Sequence, residues 1–340
     1  MDYIAHIRET DGKIQTVQQH LKEVCELTEQ SGEKIGMKHL AGLVGLLHDL
    51  GKNSNEFKEY IQKAVANPDN PPPRGSVDHS TAGGRLLYQR YYTNLKSPDE
   101  RLAVEWMAMC IISHHQGLRD FLTPQLTSKF LERVADKELK GYENAVTTFF
   151  NTQITEQEFD VYYTKAKTEI SGIMPSIKKH ITSSLLIKYI FSCLIDADRS
   201  NSRRFEENEQ MEDRFDSHVF FVNSYNALMK KISSFNEAED ANHLINQLRS
   251  EMSHQCEAFA THPSGIYTLS IPTGGGKTLA SLRYALKHAI THKKERIIYI
   301  VPYTTIIEQN AQDVRDIIEK DVIEKDSYIL EHHSNVIENE

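Results

Sequence analysis

The residues able to do chemistry stand at the ends of apolar runs. In 46-LLHDLGKNSNEF-57 an adjacent imidazole and carboxylate, His48 and Asp49, close a run of leucines; Gly51 breaks the helix and Lys52 follows. Neither group is tolerated beside a core unless it is paired or bound to something. A local cap, a satisfied buried pair and a metal site all fit the dipeptide taken alone. The pattern recurs along the chain. His20 sits mid-helix among apolar neighbours, and His79 opens a helix after a proline-rich loop. His114 and His115 close another helix before Gly117, and Asp196 and Asp198 lie near the end of the apolar stretch 181–200. Jointly, these imidazoles and carboxylates favour a metal site. Neutral imidazole suits first-row transition metals, and a shared carboxylate can bridge two ions that together clamp a phosphodiester. Lys52 would share a helix face with His48 if the helix continued past Gly51, and its ammonium could then offset phosphate charge. Its plain alternative is an exposed charge complementing the helix dipole.

A second motif lies near the C-terminal end, in 271-IPTGGGKT-278. Successive glycines let backbone N–H groups turn around phosphate oxygens, and the helix that follows presents its positive end. Thr273, Gly274, Gly275 and Gly276 would form the loop, Lys277 would reach the outer phosphates, and Thr278 would hold magnesium. The strict pattern wants glycine where Ile271 stands, so this is a variant. A working ATPase also needs an acidic residue at the end of a later strand to hold the metal. The following strands end in VPYTT and LEHHSN, without an acidic pair. ATP hydrolysis is therefore not expected of these residues alone.

The elements that must position these groups divide into two kinds. Apolar residues at helical spacing predict helices over 14–29 (Ile14, Val17, Leu21, Val24, Leu27), over 37–50, from His79, and up to His114 and His115. Helical patterning persists from about 130 to 215, with no strand alternation in the first two hundred residues, so this part reads as all-α. Residues 236–248 read as a polar linker, and from 249 the order strand, glycine loop, helix, strand, helix predicts an α/β segment with a parallel sheet.

Composition narrows the class. A chain of 340 residues, 39% hydrophobic and 26% charged, can bury two cores, and no run is long enough to span a membrane. The four cysteines, Cys25, Cys110, Cys193 and Cys256, have no zinc-ribbon spacing, and with a polar N-terminus they point to a reducing cytoplasm. A net charge of −9 argues against coating nucleic acid by bulk positive charge. Local basic residues, Lys178, Lys179 and His180, Arg199, Arg203 and Arg204, and Arg85 and Arg90, could still guide a strand or simply be solvated.

Read in order, QHLKEV, LLHDLGK, DHSTAGG, ISHHQG and LIDADRS, then SIPTGGGKTLASLRYALKHA, RIIYIVPYTTIIEQNA and ILEHHSN, the chain resembles the CRISPR-associated helicase-nuclease of type I systems. That family joins a metal-dependent HD phosphohydrolase domain to a superfamily 2 helicase. The resemblance implies an all-α HD nuclease domain over 1–235, a linker over 236–248, and the beginning of a RecA-like helicase domain over 249–340 without its DEAD-type motif. It further implies a prokaryotic, cytoplasmic enzyme hydrolysing single-stranded DNA opened by a Cascade-type surveillance complex. His20, His48, Asp49, His79, His114, His115 and Asp198 would hold two ions of manganese, iron, cobalt or nickel. Asp49 would bridge them, Lys52 would face phosphate, and ATP with magnesium would occupy the glycine loop. Asp198 is preferred to Asp196 because the related pattern puts alanine before the aspartate and a basic or aromatic residue after it; Asp196 stays open. An HD hydrolase of nucleotides, and a non-catalytic nucleotide- or DNA-binding module, are the rival readings.

Overall fold

In the computed structural model, the described residues are 3–73, 75–94, 98–174, 180–208, 216–236, 243–319 and 328–333. They fall into two compact units, Met1–Met211 and Glu212–Glu340.

The first unit is helical except at its start. Strands β1 (Ile4–Ile7) and β2 (Ile14–Thr16) form an antiparallel hairpin. Its turn is closed by Arg8 N–H donating to the Lys13 carbonyl at 2.8 Å, and Gly12 supplies the left-handed φ of 71°. This corrects the all-α expectation and the placement of Ile14 in a helix. Helix α1 (Val17–Glu33) starts later because Thr16 and Gln19 make a reciprocal capping box, which fixes Thr16 as the last non-helical residue. Ile14 precedes Val17 by three residues, so the helical period runs on across the boundary and conceals it.

Helix α2 (Lys38–Leu47) is buried on nearly every side, from Leu40 to Leu47, and forms the middle of the unit. Around it lie α3 (Asn55–Ala66), α4 (Ala82–Tyr91), α5 (Pro98–Ser113), the short α6 (Lys129–Leu131), α7 (Tyr142–Thr152), α8 (Glu156–Ile173) and the long α9 (His180–Glu207). Leu21, Leu43, Leu47, Leu87, Met107, Ile111 and Phe159 fill the core between them. A single π-helical turn, Glu132–Asp136, follows α6.

The second unit contains α10 (Ser217–Asn236), α11 (Leu244–Phe259), α12 (Lys277–Thr291) and α13 (Thr304–Ile318). Leu228, Leu282, Leu286 and Ala289 are its core. Helices α12 and α13 lie where the sequence predicts them, and α11 begins inside the segment read as a linker. The expected parallel sheet is not formed among the described residues. Its segments 266–271 and 297–301 carry no strand pairing, and Ile266, Ile298 and Ile300 are 101%, 78% and 92% exposed. Parallel strands have no local partner, since each takes its hydrogen bonds from chain distant in sequence. A β-rich composition therefore makes these segments extended without by itself making a sheet.

Candidate metal centre

Most of the ligand candidates stand where the local sequence ends or turns an element; Asp198 lies inside a helix. Helix α2 stops at Leu47; His48 keeps helical dihedrals, Asp49 leaves them, and a short 3-10 turn over Leu50–Asn53 follows. The chain turns there because Gly51 lies against the backbone of His79, where a Cβ would sit 2.6 Å from the His79 Cα. His79 thus enters three residues before α4, His114 and His115 follow α5 directly, His20 lies in the first turn of α1, and Asp198 on α9. Asp196 is exposed. Two residues apart on a helix means facing away from each other.

The seven residues meet as two groups of four that share Asp49: His20, His48, Asp49 and Asp198, and Asp49, His79, His114 and His115. In each group the candidate ligand atoms lie within 4.8 Å of one another. Asp49 Oδ2 is 3.5 Å from His20 Nε2 and 3.4 Å from His48 Nε2, and Asp198 Oδ1 is 3.5 Å from both rings. Asp49 Oδ1 faces the other way, 3.3 Å from His114 Nε2 and 3.7 Å from His79 Nε2. His79 Nε2 and His115 Nε2 are 2.7 Å apart.

Tautomers follow from the partners of the far ring nitrogens. His48 Nδ1–H donates to the Gly45 carbonyl at 2.8 Å, and His114 Nδ1–H to the Ile111 carbonyl at 2.7 Å. His20 Nδ1–H donates to Asn201 Oδ1 at 2.8 Å, and Asn201 is held in that sense because its amide N–H faces the Glu23 carboxylate. Neutral rings so arranged point their Nε2 lone pairs inward. His20 and His48 then oppose lone pairs at 3.1 Å. Asp49 Oδ1 and His114 Nε2 are both buried without a hydrogen-bond partner. Acceptors facing acceptors in a buried place need a cation or a shared proton between them. The donor set therefore fits a metal pair.

With no ion bound, a proton on His48 takes the place of the cation. Burial pushes the His48 imidazole down, but the Asp49 and Asp198 carboxylates outweigh it and raise it to about 10. His20 is lowered, chiefly by burial. Burial lowers His79 to about 3 and also lowers His115. Asp49 is raised by burial, yet Lys52 and His48 hold it well below the usual carboxylate range. Lys52 is itself buried, with Nζ 2.8 Å from Asp49 Oδ2.

Some supporting residues were not anticipated. Asn201 lies three residues after Asp198, and Glu23 three after His20, so helical spacing alone placed both on the ligand faces. Gln15, on β2, donates to both Glu23 and Asn201. The basic residues proposed as guides divide. Arg85 is buried, donating to the carbonyls of Val134 and Arg133, and Arg90 is ion-paired with Asp160 and Glu156, both at 2.8 Å. Both serve the fold. Arg199 and Arg203 are exposed, and Arg203 has Glu207 3.9 Å away; Lys178 and Lys179 lie outside the described residues.

In the second unit, Gly274 and Gly276 both have φ of 78°, and α12 begins at Lys277. Arg249 of α11 donates through Nε to the Gly274 carbonyl at 2.8 Å. Thr273, Gly274, Gly276, Lys277 and Thr278 line a cavity of about 980 Å³ between this loop and α11. Gly275 is bent inward, its N–H donating to the Pro272 carbonyl at 3.0 Å.

Paired histidines and aspartates around a central His-Asp dipeptide on a helical scaffold define an HD-type centre. The family comparison is specific: residues 10–173 match the Cas3 HD domain and residues 252–336 match the DEAD/DEAH box helicase. The chain carries a Cas3 HD domain followed by a DEAD/DEAH box helicase region. Among solved structures, T. fusca Cas3-ATP and T. fusca Cas3-ADP are each similar at 14% identity and a TM-score of 0.45. T. fusca Cas3 itself is similar at 15% identity with the same TM-score. Each alignment covers 94% of this chain and 37% of that one, so the chain spans little more than a third of their length. No curated protein matches this chain. No helix among the described residues is long and apolar enough to cross a membrane.

Proposed function

We propose that this chain is a metal-dependent nuclease of single-stranded DNA acting in CRISPR interference, with the first unit, Met1–Met211, as the nuclease domain; the expected bound of 235 would take in α10, whose Leu228 packs with Leu282 and Leu286 of α12. A RecA-like helicase region over 249–340 follows. The observation that carries this reading is the pair of inward-facing acceptor sets that share Asp49. His20, His48 and Asp198 would hold one divalent ion and His79, His114 and His115 the other, with Asp49 shared between the two groups. Imidazole-rich ligation favours manganese, iron, cobalt or nickel. Bound there, such ions would supply charge that offsets phosphate and favours an ionised water. The chain's own groups do the rest. The Gly45 and Ile111 carbonyls and Asn201 keep three rings in the tautomer that presents Nε2. Lys52 supplies positive charge beside Asp49. The surrounding leucines keep the dielectric low, which strengthens every charge interaction with a bound phosphodiester.

In the second unit, Lys277, Thr278 and the glycine loop would take ATP with magnesium, and a Cascade-type complex would supply the opened strand. The test is cleavage of circular single-stranded DNA without ATP, using metal-stripped protein resupplied with manganese, cobalt, nickel or magnesium. Cutting in transition metals that is lost in Asp49→Ala supports the reading. Turnover of nucleotides with no cutting of the circle in any metal would replace it with the nucleotide hydrolase.

A further inference from the structure

The two halves of the centre are supported unequally. His20, His48 and Asp49 are almost wholly buried and two of the group's four residues ride inside helices α1 and α9. The other half is built on chain ends. His79 precedes α4, His114 and His115 follow α5, and His115 is exposed. Regular secondary structure does not hold the 78–81 segment against the end of α5.

Arg133 does. It projects from the π-helical turn Glu132–Asp136, a rare geometry that recurs at functional sites. Its Nη1 donates to the Ile112 carbonyl, two residues before His114. Its Nε donates to Thr81 Oγ1 at 3.1 Å, and its Nη2 to Ser80 Oγ at 3.1 Å, with Asp78 Oδ2 at 3.4 Å. One planar guanidinium thus ties residues on both sides of His79 to the segment that presents His114 and His115. Asp78 completes the tie. It accepts from the Thr81 N–H at 3.1 Å, the Thr81 hydroxyl at 2.8 Å and the Ser80 hydroxyl at 3.1 Å, and pairs with Lys137. Arg85 in turn fixes the π-helical turn from below, through the carbonyls of Arg133 and Val134. Lysine offers no such fork.

We propose that Arg133, with Asp78, is a positioning residue that assembles one half of the centre, so that the ion held by His79, His114 and His115 depends on it and the ion held by His20, His48 and Asp198 does not. The proposal rests on the dinuclear reading above. Loss of an outer hydrogen-bond partner typically costs about 10–100-fold in metal affinity.

The experiment is a manganese titration of the full chain, with free manganese followed by electron paramagnetic resonance, and a thermal melt of each variant as a fold control. The wild type binds two ions. Arg133→Gln keeps one site at wild-type affinity and weakens the other by about 10–100-fold. Adding Arg133→Gln to His115→Ala changes nothing further, whereas adding it to His20→Ala weakens the remaining site by about 10–100-fold. Should Arg133→Gln fail to fold, Asp78→Asn, which keeps the shape of the side chain, carries the same prediction. Two sites at wild-type affinity in the variant, or equal weakening of both, would overturn the assignment. A wild type that binds fewer than two ions would instead overturn the dinuclear reading on which it rests.

Discussion

Gly51→Ala tests whether the backbone contact under His79 sets the geometry of the centre. Gly51 needs no left-handed dihedral, and alanine is the better residue for a helical turn, so torsion alone predicts no harm. The contact predicts otherwise. The new Cβ would lie 2.6 Å from the His79 Cα, against an ordinary carbon–carbon separation of about 3.5–4.0 Å. Leu47, Leu50 and Lys52 are buried around it, so the turn has little room to retreat and His79 must move by about 1 Å. Overpacking of this kind costs about 1–3 kcal/mol. For a unit of 211 residues that is a fall in melting temperature of about 2–12 °C. The same displacement carries His79 Nε2 away from its present 3.7 Å from Asp49 Oδ1. One manganese site should then weaken by about 10–100-fold, the other remaining as it is. Calorimetric melting and a manganese titration read the two effects separately. A variant that melts within a degree of wild type and binds manganese unchanged would refute the reasoning.

Further outcomes follow from the same geometry. Asp198→Ala should abolish metal-dependent cutting of single-stranded circles, while Asp196→Ala, on the exposed side of α9, should leave the rate within about twofold of wild type, since surface substitutions rarely matter. The reverse pattern in that assay would reassign the ligand. Lys277→Ala should remove nucleotide binding, measured by equilibrium dialysis with ATP and magnesium, without changing cutting of the circle in the absence of ATP. A loss of cutting would mean that the phosphate loop serves the nuclease directly.

How much of this could be read in the sequence depended on how local the determining physics was. Five of the seven gathered histidines and aspartates sit beside punctuation that sequence displays: Gly51 after His48 and Asp49, the proline loop before His79, Gly117 after His114 and His115. Glycine and proline act on their own neighbourhood, so element ends and the polar residues placed on them are visible from composition. The preference for Asp198 over Asp196 rests on a resemblance; Asp198 stands in the group with His20, His48 and Asp49, and Asp196 is exposed. The hairpin was hidden because Ile14 keeps helical phase with Val17 although the capping box ends the helix between them. Arg133 was beyond reach: it meets Asp78 and Thr81 across more than fifty residues, and nothing in its own segment marks it. The sheet of the second unit was overstated for the related reason that parallel pairing is never written locally.

Two ion sites sharing Asp49 require seven side chains to act as ligands together. The most direct measurement is a crystal structure of the full chain grown with manganese, with anomalous scattering recorded at the manganese edge. The account predicts two anomalous peaks, one among His20, His48 and Asp198 and one among His79, His114 and His115, with an oxygen of Asp49 directed at each. A single peak, no peak, or ions bound elsewhere while these side chains keep their positions would contradict it.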